Sequence, residues 1–372
     1  MSNALIWGSG RVARSHYRFN MSLFTKRNID IVGIVDSDSS KWGMRFAGDE
    51  DKYVDSPEIL KKKEIDLVIV FANEDLFLKI KKYIVEQFGV NERIIKHYTF
   101  LLQQEMMEKY HDTDDKDIQS VLNYWKEGNI LSVFNQYIPF EHTYDLLHHD
   151  ESSIYPYVYF STVDGEQRKM YFPEDYAAIC KKDGAWYVRD LMREQSPRSP
   201  HLYVTDNHMI HEGDILLDVG TCEGNFCLRY INFVSKLYVF ESDKRFVGPL
   251  METFKGNSNV SIVQGFVGDK TFGADTSIDE VLAVDDFQAD FIKMDIEGAE
   301  LDALHGASKV IEASKPRMSI CTYHKKNDYA NIESFLSGKG YKTSCSNGYM
   351  VFLDTEEVYQ YFDFRRGIIY AE

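Results

Sequence analysis

Apolar positions in the first hundred residues follow two alternating patterns. Short runs at 3–7, 30–35, 67–71 and 94–95 are rich in Ile, Val and Leu and read as buried strands. The stretches 11–24 and 74–88 repeat apolar residues at three- and four-residue spacing and read as helices. Such alternation predicts a parallel sheet covered by helices. The pattern then turns helical: Leu101, Leu102, Met106 and Met107 fit one face, and Ile118, Val121, Leu122 and Trp125 fit another, with an acidic cluster at 112–117 between them. Tyr-rich segments at 155–163 and 168–172, split by Asp164 and Gly165, predict a hairpin, and SPRSP at 196–200 interrupts regular structure. From 211 the alternation resumes, with strands at 214–219, 236–240, 260–263, 291–294 and 317–321. The intervening helices are expected at 224–234, 243–254, 300–313 and 332–338. Asn347 and Gly348, between apolar segments 341–344 and 349–353, predict a closing β-hairpin. The expected architecture is α/β, with parallel-sheet domains at 1–100 and 201–372 joined by a helical connector and β-rich cap over 101–200.

Composition narrows the class. The chain has 372 residues, and its 24 Phe and 24 Tyr supply enough apolar area to offset chain entropy, which excludes disorder over most of its length. The longest apolar run, 67–72, is too short to cross a bilayer, and the N-terminus lacks a secretory pattern. A cytoplasmic protein without membrane insertion is expected. The net charge is −17, of which −11 falls on 201–372, so nucleic acid is a disfavoured partner. The dense basic run Lys61, Lys62, Lys63 reads as a solvated helix end. Five cysteines without a CxxC pair (Cys180, Cys222, Cys227, Cys321, Cys345) suggest reduced thiols.

Candidate chemistry sits at two strand–helix turns. In the C-terminal half, DVGTCEGN at 218–225 follows a strand and opens a helix, where open parallel sheets bind ligands. Glu241 ends the next strand and is suited to accept hydrogen bonds from two ribose hydroxyls. Together they indicate a nucleoside-containing cofactor. The turn lacks G-x-G-x-x-G spacing and the domain closes with a hairpin, and both features argue against NAD there.

A specific resemblance follows from these residues. GDILLDVG at 213–220 with Gly224 and Asn225, Phe240 with Glu241, TSIDEVL at 276–282, FIKMDIEGAEL at 291–301, and Tyr323 with His324 make 201–353 resemble the FkbM family of S-adenosylmethionine-dependent methyltransferases. The resemblance implies a class I methyltransferase fold, Rossmann-like in its sheet, with S-adenosylmethionine as cofactor. It carries cofactor contacts onto Asp218, Gly220, Thr221, Glu223, Gly224, Asn225, Glu241, Ser242, Val267 and Asp295. The departure is Thr221-Cys222-Glu223 where relatives commonly have Ala-Asn, which alters contacts to the methionine portion. Family tendency points to a hydroxyl of a glycan or nucleotide-linked sugar as acceptor, with surface polysaccharide or glycoconjugate synthesis as setting; an amine stays open.

Methyl transfer requires alignment and removal of the acceptor's proton. Asp295, Glu297 and His324 are the expected base and substrate clamp. Lys293 shares a strand face with Asp295 and is suited to hold a carboxylate. Glu297 and Glu300 also suit a helix N-terminus. Oxygen and imidazole donors suit Mg or Mn, but no fixed ligand spacing is present, so no metal is assigned. Gln195, Arg198 and His201, upstream of the cofactor strand, are the best acceptor-side candidates, and His148, His149, Tyr155, Tyr157 and Tyr159 suit a carbohydrate-facing cap.

At the N-terminus, GSGRVA at 8–13 after a strand, with Asp36 ending the next, gives a Rossmann-like dinucleotide pattern and a second nucleotide site at Gly8, Gly10 and Asp36. The alternatives are a fold retained for packing or dimerisation, an NAD-dependent sugar-modifying oxidoreductase working through this domain, and a non-catalytic nucleotide-binding scaffold. Apolar residues at 118–138 suit either a homodimer contact or packing within the chain.

Overall fold

The computed structural model describes residues 2–133, 147–149, 151–176, 186–270 and 273–372. The chain divides into two compact units, one of residues 1–136 with 351–364, the other of residues 137–350 with 365–372.

In the first unit, strands β1 (Ser2–Trp7), β2 (Ile29–Val35), β3 (Arg45–Phe46), β4 (Asp49–Asp55), β5 (Leu67–Val70) and β6 (Ile95–His97) form a sheet of order β3-β4-β2-β1-β5-β6. All neighbouring pairs are parallel except β3 with β4. Leu5, Trp7, Val35, Val68, Val70, Phe77, Ile84 and Ile95 make one core. Helix Glu74–Phe88 begins at Asn73, whose side chain accepts from Leu76 N, and stops at Gly89 in the left-handed region. Helix Lys116–Lys126 buries Ile118, Val121, Leu122 and Trp125 within the chain. Residues 134–138 of the segment weighed as a dimer contact lie outside the described residues, as does Cys180.

In the second unit, β7 (Tyr157–Ser161) and β8 (Gln167–Tyr171) form an antiparallel hairpin around Gly165. The main sheet contains β9 (Ile215–Val219), β10 (Lys236–Glu241), β11 (Val260–Gln264), β12 (Phe291–Met294), β13 (Arg317–Cys321), β14 (Thr343–Cys345) and β15 (Ile368–Ala371), in the order β11-β10-β9-β12-β13-β15-β14. The first five are parallel, and β15 runs antiparallel to both β13 and β14. One face of the sheet is apolar: Leu217, Val219, Phe240, Ile292, Met294 and Ile320 are buried with helix residues Ala303, Leu304, Val310 and Ile311.

Three elements differ from their expected form. The helix expected over 224–234 is only Asn225–Arg229, because the Arg229 carbonyl accepts from Val163 N at 2.7 Å and the chain tightens into turns, with Phe233 N bonding to Tyr230 O. The helix expected over 300–313 is two, Glu300–His305 and Ser308–Ser314. Between them the Gly306 carbonyl accepts from Asp279 N instead of continuing the helix. The closing antiparallel pair exists, but its second arm is β15 and not 349–353. Gly348 does turn the chain (φ +78°), yet residues 351–364 then belong to the first unit before the strand returns at Ile368.

Candidate active site

The strand order of the second sheet reverses at β9, whose neighbours are β10 and β12, so a crevice opens beyond the carboxyl ends of β9 and β12. Gly220 turns the chain there at φ +82°, and a Cβ on it would stand 1.8 Å from the Asp295 carbonyl oxygen. Only glycine lets the two strand ends pass so closely. Thr221 N and Gly220 N both donate to Phe240 O, and Thr221 Oγ1 donates to Asp218 O, fixing the turn. Gly224 and Asn225 lead into the short helix.

Asp218 is fully buried and ion-paired at 3.0 Å with Lys293 Nζ, which also donates to the Gly220 carbonyl. Burial works against the Lys293 ammonium, but Asp218 and Asp295 outweigh it and raise its pKa. Lys293 and Asp218 therefore lock β12 to β9 and hold the Gly220 turn.

Glu241 points back over the turn: Oε2 accepts from Cys222 N and Oε1 from Asp243 N, each at 2.7 Å. Ser242 beside it is exposed, and Val267 is buried in the bridge with Thr276. Glu223 is almost wholly buried, with Tyr187 of helix Trp186–Glu194 donating to Oε1. Burial pushes its carboxyl up to about 7, against the Tyr187 hydrogen bond and with help from the Glu241 charge.

Asp295 is the centre of the second cluster. Its Oδ2 accepts from Tyr203 Oη at 2.7 Å and lies 3.3 Å from His201 Nε2; Oδ1 lies 3.4 Å from His324 Nε2 and 3.5 Å from Tyr323 Oη. Burial alone would raise its pKa, but His201, His324 and Lys293 hold it well below the carboxylate range. Burial, then the Asp295 charge, keeps the Tyr203 and Tyr323 phenols protonated. Two groups of possible metal ligands share this carboxylate, one with His201 and Cys321 and one with Glu300 and His324, each with its ligand atoms within 4.8 Å of one another.

His324 was expected to remove a proton. Its ring is buried, with Nδ1 3.0 Å from Glu300 Oε1 and Nε2 3.6 Å from Glu297 Oε2. Burial disfavours the charged ring, yet the Glu300 hydrogen bond and the charges of Asp295, Glu300 and Glu297 lift its pKa to about 9. It is an imidazolium at neutral pH. Glu300 also accepts from Ile296 N and Gly298 N, so it ties down the loop in which Glu297 adopts φ +57°. Glu297 itself is largely exposed at the mouth. Arg365 donates to the carbonyls of Tyr323 and His324 at 3.0 and 2.7 Å and fixes the end of β13.

Asp218, Lys293, Glu223, Glu241, Asp295, Glu297 and His324 thus gather at one sheet edge. The sequence reading passed over Tyr187, Glu194, Tyr203 and Arg365. Tyr187 and Glu194 are seven apart on a helix and share a face, and Tyr203 lies two residues beyond His201; those spacings were the available signal. Arg365 carried none.

In the first unit, Gly8 has φ +106° and its Cβ would meet Phe71 O at 2.8 Å, whereas a Cβ on Gly10 would meet nothing within 4 Å among the described residues. Asp36 is engaged by its own chain: Oδ2 accepts from Ser9 N, Ser9 Oγ and Lys41 Nζ, and Oδ1 from Asp38 N. Those bonds overcome the effect of burial and lower its pKa.

With this geometry in hand, comparison with known proteins places the C-terminal sheet. Residues 238–343 match the family model described as the methyltransferase FkbM domain. Residues 1–96 match a separate model, described as C2185-like, N-terminal. Among solved structures, a methyltransferase FkbM from Methylobacillus flagellatus KT aligns over 100% of this chain and 90% of its own, at 14% identity and TM-score 0.52, a likeness of fold. A fibrillarin from Aeropyrum pernix, in complex with S-adenosyl-L-methionine, aligns over 62% of this chain and 99% of its own at 14% identity and TM-score 0.33. A putative methyltransferase from Streptococcus mutans, in complex with SAH, aligns over 44% and 90% at 11% identity and TM-score 0.32. No curated protein matches the chain. Among the described residues no helix is long and apolar enough to cross a membrane.

Proposed function

We propose that the second unit transfers a methyl group from S-adenosylmethionine to a hydroxyl of a small polar acceptor, a glycan or nucleotide-linked sugar. The observation that carries this reading is the Gly220 crossing at the strand-order reversal, where the turn passes against the Asp295 backbone and Glu241, ending the neighbouring strand, accepts from Cys222 N. The carboxyl of Glu223, in the same turn, is almost wholly buried and accepts from Tyr187 Oη. A buried carboxyl there fits a donor that carries positive charge. When bound, S-adenosylmethionine supplies an electrophilic methyl on a sulfonium, so the chain's task is to hold, align and deprotonate.

Glu241 would receive the ribose hydroxyls, the backbone of 220–224 with Asn225 would hold the methionine portion, Val267 and Ser242 would border the base, and Glu223 would meet the donor's ammonium. Asp218 and Lys293 act through the Gly220 turn they hold and are positioning residues. Asp295 orients the acceptor side, Glu297 clamps the acceptor at the mouth, and the His324 imidazolium keeps Asp295 ionised. For the first unit, a nucleotide would have to share the Asp36 carboxylate with Ser9, Asp38 and Lys41.

The test is calorimetry with S-adenosylmethionine, then incubation of the full chain with the methyl-labelled donor and pooled sugars and amino-sugars. Binding with label transfer to a sugar oxygen is the expected result. Transfer to nitrogen would move the acceptor class to amines, NADH formation would favour the oxidoreductase alternative, and absence of donor binding would end the methyltransferase reading.

A further inference from the structure

Lys293 is closed on Asp218, and the His324 ring stands among Asp295, Glu297 and Glu300, which turns attention to the other imidazole at Asp295. His201 has the required surroundings. It sits in the 196–203 segment that enters the sheet edge just before β9, and it is 4% exposed. Its two ring nitrogens face different groups. Nε2 is turned inward, 3.3 Å from Asp295 Oδ2, 3.1 Å from Tyr323 Oη, 3.3 Å from Tyr203 Oη and 3.6 Å from Cys321 Sγ. Among the described residues Nδ1 is buried without a hydrogen-bond partner, and the charged group that faces it is Glu194, at 3.8 Å. That carboxylate is 38% exposed, so this side of the ring leads toward solvent. The backbone holds the ring in place, since His201 N donates to Ser199 Oγ and the His201 carbonyl accepts from Gln195 Nε2.

We propose that His201 is the general base of methyl transfer, with Asp295 orienting it through Nε2–H and Nδ1 receiving the acceptor's proton on the Glu194 side. The inference rests on the methyltransferase reading above. The arrangement is that of a base whose second nitrogen is fixed by a carboxylate, which sets the tautomer and stabilises the imidazolium that forms. Tyr203 donates to the same Asp295 oxygen at 2.7 Å and limits its rotation. The acceptor O–H bond breaks and its proton goes to Nδ1 of His201. The oxygen lone pair forms the new C–O bond, the methyl–sulfur bond breaks, and its electron pair remains on the sulfur of the neutral thioether product. The proton then leaves His201 for solvent past Glu194. Asp295 stays ionised throughout, held so by the His201 hydrogen bond and by the His324 and Lys293 charges beside it. His201 and His324 thus divide two tasks around one carboxylate, the first exchanging a proton and the second carrying a constant charge.

The deciding measurement is nitrogen NMR of the full chain labelled at histidine, at neutral pH and without ligand. His201 is assigned by loss of its signal in His201→Gln and, should that variant misfold, by its perturbation in Tyr203→Phe. The expected state is a neutral ring with the proton on Nε2 and a bare Nδ1. A proton on Nδ1, or a fully charged ring, overturns the assignment. Calorimetry and the pooled-acceptor assay then separate it from the underlying reading. His201→Gln should bind S-adenosylmethionine within about threefold of the parent while methyl transfer falls on the order of 100-fold or more. A parent that binds and transfers while His201→Gln transfers equally fast overturns His201 alone. A parent that binds no donor overturns the methyltransferase reading and His201 with it.

Discussion

The charge on His324 is a stability element as well as part of the site. Its pKa is lifted from 6.5 in the unfolded chain to about 9 by Glu300 and Asp295 against burial. The favourable contribution is therefore fully present below pH 6.5 and is lost as pH rises through 9, and a shift of this size corresponds to about 3 kcal/mol. Urea unfolding of the parent and of His324→Gln at pH 6.5 and 9.5 checks it: the gap between them should shrink by that order at the higher pH. An unchanged gap would mean that the ring is neutral at pH 6.5. Glu223 has the opposite sign. Its carboxyl is raised to about 7, chiefly by burial, so the folded chain holds a proton between about pH 4.5 and 7 that the unfolded chain gives up, and stability falls across that window. A cationic donor placed against Glu223 favours the ionised form, so donor binding should release a proton near pH 7 and weaken roughly tenfold from pH 8 to pH 6. Calorimetry in buffers of different ionisation enthalpy reads the release directly, and Glu223→Gln should abolish it. Tyr187, Glu241 and Lys293 also face this group, and the variant isolates its share from theirs.

The turns between strands and helices divide what the sequence made legible from what it hid. The Gly220 turn was legible because the glycine falls at the end of an apolar run, and its two consequences, positive φ and a close approach to Asp295, share one local cause. Alanine at Gly220 should cost on the order of 4 kcal/mol in unfolding and remove donor binding, since neither the φ of +82° nor the 1.8 Å approach can be accommodated. The same contrast separates two glycines of the N-terminal turn. Alanine at Gly8 should cost roughly 2–3 kcal/mol, whereas alanine at Gly10, with open space around its Cβ, should be within about 0.5 kcal/mol of the parent. Denaturant midpoints of the two variants decide it, and equal losses would show that the turn is not built as described. Asp36 shows what a motif leaves out. Its place at the end of β2 suits a ribose contact, while Lys41, five residues downstream, and Ser9 also donate to its oxygens, and no spacing rule anticipates a side chain that turns back. Local periodicity likewise could not foresee the break at Gly306 or the tightening at Arg229, because both arise where a carbonyl meets a donor distant in sequence, Asp279 in one case and Val163 in the other.

At the scale of the molecule, the chain's route links its two units at more than one point. The turn at Asn347 and Gly348 reads locally as a hairpin, but the apolar residues after it have a different destination: Val358 and Tyr359 are buried in the first unit. Tyr359 stacks on Phe19 at 5.4 Å between ring centroids, and Asp354 lies 3.5 Å from His16 Nε2, so helix Glu356–Tyr361 closes over helix Arg11–Lys26. The sheet of the second unit is completed only after this detour, when β15 inserts between β13 and β14. A cut at residue 136 therefore leaves the first unit without one of its walls. Residues 1–136 alone should be less stable than the same segment linked to 351–364 by on the order of 4 kcal/mol, from the exposed face that Val358 and Tyr359 otherwise bury, and should melt roughly 10 °C lower. Thermal unfolding of the two polypeptides makes the comparison. Equal melting temperatures would mean that 351–364 contributes nothing to the first unit. A lower one for the short form would show that strand β15 reaches its place in the second unit by way of a segment on which the first depends.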